Sequence, residues 1–207
     1  ANSSAISGVI TDGGKFKWDT EKYPGMKDFK KFGPFAYTAK LRNGLFRNTG
    51  ACLSPQNAFY NSIGMETLGL RMERVCDNAK TLAQFFATEY SDIEVNYPGL
   101  AGSKWHNIAT EQFGDKFGGI ITIRTGNKKR AFGIIDALKL PLIVSNIGDT
   151  KTLVIHPEST LNVHSTQEEK ETAGVFDDLI RISVGIEDID DLIDDFKQAI
   201  ESVKDVY

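Results

Sequence analysis

The chain has 207 residues, 41% of them hydrophobic and 25% charged, and a formal net charge of −4. That length can bury a substantial core, as one large domain or a domain plus an appendage, and the acidic balance argues against a general nucleic-acid binder. The longest apolar runs are strand-length, so no helical membrane span is expected, and no basic start followed by an apolar stretch marks a secretory signal.

The chain opens "ANSSAISGVITDGGKF", with no initiator Met and a strand-like "AISGVIT" almost at once. Such an abrupt start suggests a piece of something longer; Met removal or a cloning remnant is the plainer alternative. From Lys15 to Asn48 the sequence is rich in Lys, Gly, Phe and Pro with weak periodicity, which predicts mostly loop and a short helix around 39–47. Ser54 followed by Pro55 then signals a helix start, a capping side chain and a first-turn proline. Leu68, Met72, Val75, Ala79, Leu82 and Phe86 fall at spacings of three and four. One helix over most of 55–88 would be roughly 50 Å long, and Gly64 and Gly69 weaken its first half enough to permit a bend. The division expected is therefore 1–53 as an irregular segment, 54–90 as a linking helix, and 91–207 as a further domain.

That last domain alternates between strands and helices. Strands are expected at 93–97, 118–124, 142–145, 152–156 and 179–184, with helices near 103–112 and 128–139. Lys128-Lys129-Arg130 reads as the solvated first turn of the second of these. A short helix should begin at Ser165, with Glu168 at capping-box spacing. The final helix carries Ile189, Leu192, Ile193, Phe196, Ile200 and Val203 as one stripe, and Asp188, Asp190 and Asp191 favour its N-terminal dipole. The mixture predicts an α+β fold.

Most candidate chemistry dissolves on inspection. Two cysteines, Cys52 and Cys76, suggest free thiols in a reducing, cytoplasmic setting rather than a disulfide framework. Cysteine at a helix start is more often packing than nucleophile. "EDIDDLIDDF" lacks the glycine and order of a calcium loop. His106, His156 and His164 have no metal-ligand spacing. "GDKFGGI" is a glycine turn, not a phosphate loop. What remains is "DDLIRISVGIED", where Ile180, Ile182 and Val184 form a core-facing row and Leu179, Arg181, Ser183 and Gly185 face the other way. The plain reading is a solvated face. The sharper one is an anion pocket made by Arg181 with Asn146 or Ser145 from "LIVSNIGD", because a guanidinium can grip a carboxylate with two parallel hydrogen bonds.

A family resemblance bears on this choice. "GACLSPQNAFYNSIGMETLGLRMERVCDNA", "VNYPGL", "SNIGDTKTLVIHPEST" and "AGVFDDLIRISVGIEDIDDLIDDF" resemble, in order and spacing, the Cys/Met-metabolism family of pyridoxal-phosphate enzymes over essentially the whole chain. "SPQNAF", "GMETLGLRME" and "NIGD" are most similar to its O-acetylhomoserine sulfhydrylase branch. The resemblance implies the end of a large α/β cofactor domain, a linking helix and a C-terminal small α+β domain. It implies that Arg181 receives a substrate α-carboxylate, with Asn146 beside it; Ser145 is a candidate from the loop reading alone. It also implies pyridoxal phosphate in the full-length parent, O-acetylhomoserine and sulfide as substrates, homocysteine and acetate as products, and a homo-oligomer.

The family's Ser-x-Thr-Lys motif, which carries the lysine bonded to the cofactor, does not occur in this sequence, and Lys15, Lys17 and Lys22 do not match it. The expectation is a C-terminal piece that binds no cofactor and is inactive alone. A methionine γ-lyase or cystathionine γ-synthase parent, or a stand-alone binding or dimerisation module, are the alternatives. Leu161-Asn162 stands where family members commonly have Thr-His, so the side by which substrate enters is expected to differ.

Overall fold

The structure is a computed structural model that describes residues 4–203. They group into two compact units, 4–65 and 66–203.

In the first unit the strand expected at "AISGVIT" does not form. Residues 5–11 carry no ladder, and Ile6, Val9 and Ile10 are exposed. A strand needs a neighbour to take its N–H and C=O groups, and the described part of this unit has no sheet. The following segment is more helical than its weak periodicity suggested. A 3-10 stretch, Pro24–Phe35, is kinked at Gly33 and begins with proline in its first turn. It runs into α1 (Ala36–Leu41), a π-helical turn (Arg42–Phe46) and α2 (Arg47–Thr49). Gly50, at φ 65°, closes that run in the left-handed conformation glycine adopts at helix C-termini. Phe16, Trp18, Tyr23 and Tyr37 pack as an aromatic group, with Trp18 stacked on Tyr37 at 5.7 Å between centroids. Helix α3 (Pro55–Glu66) starts as expected, the Asn57 amide donating to Ser54 Oγ at 3.2 Å.

The second unit begins with α4 (Leu68–Glu89). The single long helix expected over 55–88 is thus two helices, parted at Thr67, whose φ of −106° and ψ of 10° lie outside the helical well. In α4 the stripe Val75, Ala79, Leu82 and Phe86 is buried, while Leu68 and Met72 are exposed. The chain continues through β1 (Glu94–Asn96), α5 (His106–Phe113), β2 (Ile120–Arg124), α6 (Lys128–Ala137), β3 (Leu142–Ile143), β4 (Leu153–Ile155), α7 (Gln167–Thr172), β5 (Leu179–Ser183) and α8 (Ile189–Ser202). The strands form one sheet ordered β1-β2-β5-β4-β3, antiparallel except for the parallel pair β3–β4.

Helices α4, α6 and α8 share the core with one face of this sheet. Ile121, Ile123, Val154, Ile180, Ile182 and Val184 meet Leu82, Phe86, Ile134, Leu192, Phe196 and Ile200, and Phe86 and Phe196 pack edge to face at 5.2 Å. Asn127 caps α6 by accepting the Arg130 amide at 2.9 Å, and Asp188 caps α8 through the Asp190 amide at 3.0 Å. The capping box of α7 lies one residue later than expected. Thr166 and Glu169 form it, because Ser165 is held by the preceding turn, its amide donating to the Asn162 carbonyl at 3.1 Å.

Candidate functional site

The second face of the sheet is set by strand parity. Opposed residues place Asn96, Thr122, Arg181 and Ile155 in one row across β1, β2, β5 and β4. Glu94, Arg124 and Leu179 flank it on one side, Ile120, Ser183 and Leu153 on the other. The face is not simply solvated: Leu179 is 7% and Ser183 2% exposed, and Arg181 is half-buried.

Two arginines occupy this face and their surroundings differ. Arg124 is spent. Its Nε donates to Asp178 at 2.9 Å, Glu94 lies at 3.7 Å, and its guanidinium stacks over Phe176 at 4.0 Å. Arg181 instead donates from Nη2 to the main-chain carbonyls of Ser145, at 2.6 Å, and Asn146, at 3.4 Å. Its Nε, buried, has no acceptor. Burial draws the guanidinium's pKa down from its ordinary value, yet an arginine remains cationic across any working pH. A buried donor without a partner costs about 1–3 kcal/mol. An incoming anion would relieve that cost and gain a charge-assisted bond.

The three residues singled out from sequence therefore come together, but not as expected. Ser145 and Asn146 meet Arg181 through their carbonyls, which orient the guanidinium while both side chains stay exposed. The turn that follows is pinned at Gly148, in the left-handed region at φ 77°; its amide donates to Ser183 Oγ at 3.3 Å.

Sequence reasoning missed the scaffold behind the strand. Asn78 of α4, buried, donates to the carbonyls of Gly185, at 3.1 Å, and Glu187, at 2.9 Å. Glu187 in turn accepts from the Thr152 amide at 2.5 Å and hydroxyl at 2.9 Å. The Gly185 amide donates to Thr152 Oγ1 at 2.9 Å. A β-carbon at Gly185 would stand 2.5 Å from the Thr150 carbonyl oxygen, so the glycine permits two main chains to approach closely. The one signal for this was the glycine itself; a helical asparagine such as Asn78 has no periodicity to betray its role.

The other polar candidates are occupied elsewhere. His156, buried, bonds through Nδ1 to Ser159 at 2.9 Å and through Nε2 to the Asp177 carbonyl at 2.7 Å. His106 Nδ1 bonds the Pro98 carbonyl at 2.9 Å. Cys52 is exposed and Cys76 buried. At the position that departs from the family pattern, Leu161 is exposed and the Asn162 amide donates to the Pro157 carbonyl at 3.0 Å. Among the described residues no group of three or more histidine, cysteine or acidic side chains could hold a metal, and no helix is long and apolar enough to cross a membrane.

Known proteins are similar to this chain in sequence and in arrangement. The family model for the Cys/Met metabolism PLP-dependent enzymes matches residues 2–201. An O-acetyl-L-homoserine sulfhydrylase of Corynebacterium glutamicum is 38% identical over 219 residues, covering 98% of this chain and 50% of that protein. Among solved structures, a protein assigned as an O-acetylhomoserine (thiol)-lyase of Campylobacter jejuni, which carries N'-pyridoxyl-lysine-5'-monophosphate, superposes with a TM-score of 0.74 at 40% identity. That match covers 78% of this chain and 39% of the other. An O-acetylhomoserine sulfhydrylase of Wolinella succinogenes gives 0.72 at 35% identity, covering 90% of this chain and 50% of its own. The chain spans about half the length of the curated relatives it matches. With its mixed helix-and-sheet fold and a match along nearly its whole length, this chain belongs to the Cys/Met metabolism family of PLP-dependent enzymes.

Proposed function

We propose that the chain is the C-terminal part of an O-acetylhomoserine sulfhydrylase and supplies its substrate-carboxylate clamp. Residues 4–53 would be the end of the large cofactor domain, 54–90 the linking segment, and 91–203 the described part of the small domain. In the parent, acetate leaves O-acetylhomoserine, sulfide adds at the same carbon, and homocysteine forms. Pyridoxal phosphate, when bound, supplies the electron sink for that replacement.

The residues about Arg181 fit a carboxylate and do not fit the cofactor. They offer a guanidinium, hydroxyls and carbonyls, and among the described residues no lysine amine bonds to Arg181, Ser183 or residues 145–148. Arg181 would hold the α-carboxylate through Nε, its plane set by the two carbonyls, so that the bound amino acid has one orientation. Asn146, an exposed residue whose carbonyl meets the guanidinium, would add its side-chain amide as a donor to the same carboxylate.

The observation that carries this reading is the buried, acceptor-less Nε of Arg181. The test is to titrate the 15N-labelled chain with O-acetyl-L-homoserine and follow the Arg181 Nε–H signal, with the methyl ester of the same compound as control. The acid should shift the signal saturably and the ester should not. Equal shifts from both, or none from either, would contradict the assignment.

A further inference from the structure

Ser183 lies two residues beyond Arg181 on β5, on the same face, and is 2% exposed. A hydroxyl buried this deeply needs partners, and its oxygen accepts the Gly148 amide at 3.3 Å. Gly148 closes the turn that begins with Ser145 and Asn146, the two residues whose carbonyls fix Arg181 Nη2. A loop of contacts results, from Arg181 to the two carbonyls, along the turn to Gly148, across to Ser183, and back down β5. Ser145, Asn146, Ile147 and Gly148 are themselves exposed, so packing does little to hold them. Their attachment to β5 runs through Arg181 at one end and Ser183 at the other.

We infer that Ser183 is a positioning residue for the clamp: by holding the 145–148 turn against β5, it fixes the carbonyls that aim the Arg181 guanidinium. The inference deepens the carboxylate-clamp reading and rests on it. Strand parity alone would be satisfied by any small buried residue at this position. The hydroxyl adds an acceptor where the turn needs one.

The experiment compares the wild-type chain with Ser183→Ala and Ser183→Thr, both 15N-labelled, with Arg181→Lys used only to assign the Arg181 Nε–H signal. Two quantities are read: the order of the Arg181 Nε–H bond from its heteronuclear NOE, and the affinity for O-acetyl-L-homoserine. Ser183→Ala should leave Arg181 measurably more mobile and weaken binding about five-fold, the size of one lost neutral hydrogen bond. Ser183→Thr, which keeps the hydroxyl, should restore both. Wild-type order and affinity in Ser183→Ala would overturn the inference. Absence of binding by the wild-type chain would sink the clamp reading, while the order measurement still decides the positioning role. Should Ser183→Ala fail to fold, hydrogen exchange at Gly148 in the wild-type chain decides it: protection supports the bond, and exchange at the rate of a free amide overturns it.

Discussion

Arg181 is held at a cost. Its Nε sits buried without an acceptor while its Nη2 is fixed by two carbonyls, an arrangement that the proposed clamp would put to use. Function and stability should therefore separate at this residue. Arg181→Met should change the chain's thermal stability by less than about 1 kcal/mol, since an orphaned donor is removed along with its two carbonyl bonds, yet abolish uptake of O-acetyl-L-homoserine. Arg181→Lys keeps the charge and loses the planar fork, so binding should weaken about ten-fold or more in the same titration. A lysine variant that bound as well as wild type would show that charge alone suffices.

Glu158 offers a residue-scale test of a different kind. Hydrogen bonds from Lys128, at 2.8 Å, and Lys170, at 2.5 Å, hold its carboxyl down from the usual 4.5 to about 2. A depressed acid contributes stability that is fully present above its unfolded pKa and disappears as pH falls towards its folded one. Thermal midpoints of wild type and Glu158→Gln should accordingly differ at pH 6 and converge as the pH is lowered from about 4.5 to about 2. Parallel curves over that range would mean that the two lysines do not stabilise the carboxylate in solution. Nothing in the sequence announced this trio, because Lys128, Glu158 and Lys170 meet only through the fold. The strand face on which Arg181 stands, by contrast, was legible from the alternation of β5.

At the scale of elements, periodicity and capping chemistry carried most of the second unit. The α8 stripe and Ala79, Leu82 and Phe86 of the α4 stripe lie in the core, Ser54-Pro55 and Asp188 stand at the helix starts where their chemistry places them, and α6 begins at Lys128 as expected. The misreadings have local causes. The periodic stripe begins only at Leu68, so it carried no information about Thr67, where the backbone leaves the helical well and one expected helix becomes two. The α7 cap was read one residue early because Ser165 and Thr166 both offer a hydroxyl with a glutamate three residues on. "AISGVIT" has strand composition without a partner, and propensity cannot supply the other half of a ladder.

Two substitutions test the elements that support the site. Asn78→Ala would leave the Gly185 carbonyl without this donor and the Glu187 carbonyl with the Arg74 guanidinium alone, at 3.2 Å, and should cost about 1–3 kcal/mol in denaturant unfolding. Phe196→Ala, at the centre of the α4–α8 contact, should cost about 3–5 kcal/mol by the same measurement. Losses below about 0.5 kcal/mol at either position would contradict the packing described.

At the scale of the whole molecule, the proposed function assigns this chain one share of an enzyme's work. This chain spans about half of its curated relatives and matches the family along residues 2–201; the clamp proposed for it would take a substrate carboxylate, while its sequence has no match to the family motif that bonds the cofactor. Membership of the family was legible from four ordered motifs. The main-chain role of Ser145 and Asn146 was not, because a sequence records side chains and this contact is made by carbonyls. The most direct test is to incubate the purified chain with pyridoxal phosphate, reduce it with borohydride, and map any pyridoxyl group by mass spectrometry. The account predicts scattered, substoichiometric labelling at exposed lysines and no spectral response to O-acetyl-L-homoserine. One lysine labelled stoichiometrically, with a spectrum that changes when O-acetyl-L-homoserine is added, would contradict it and place the cofactor's amine within these 207 residues.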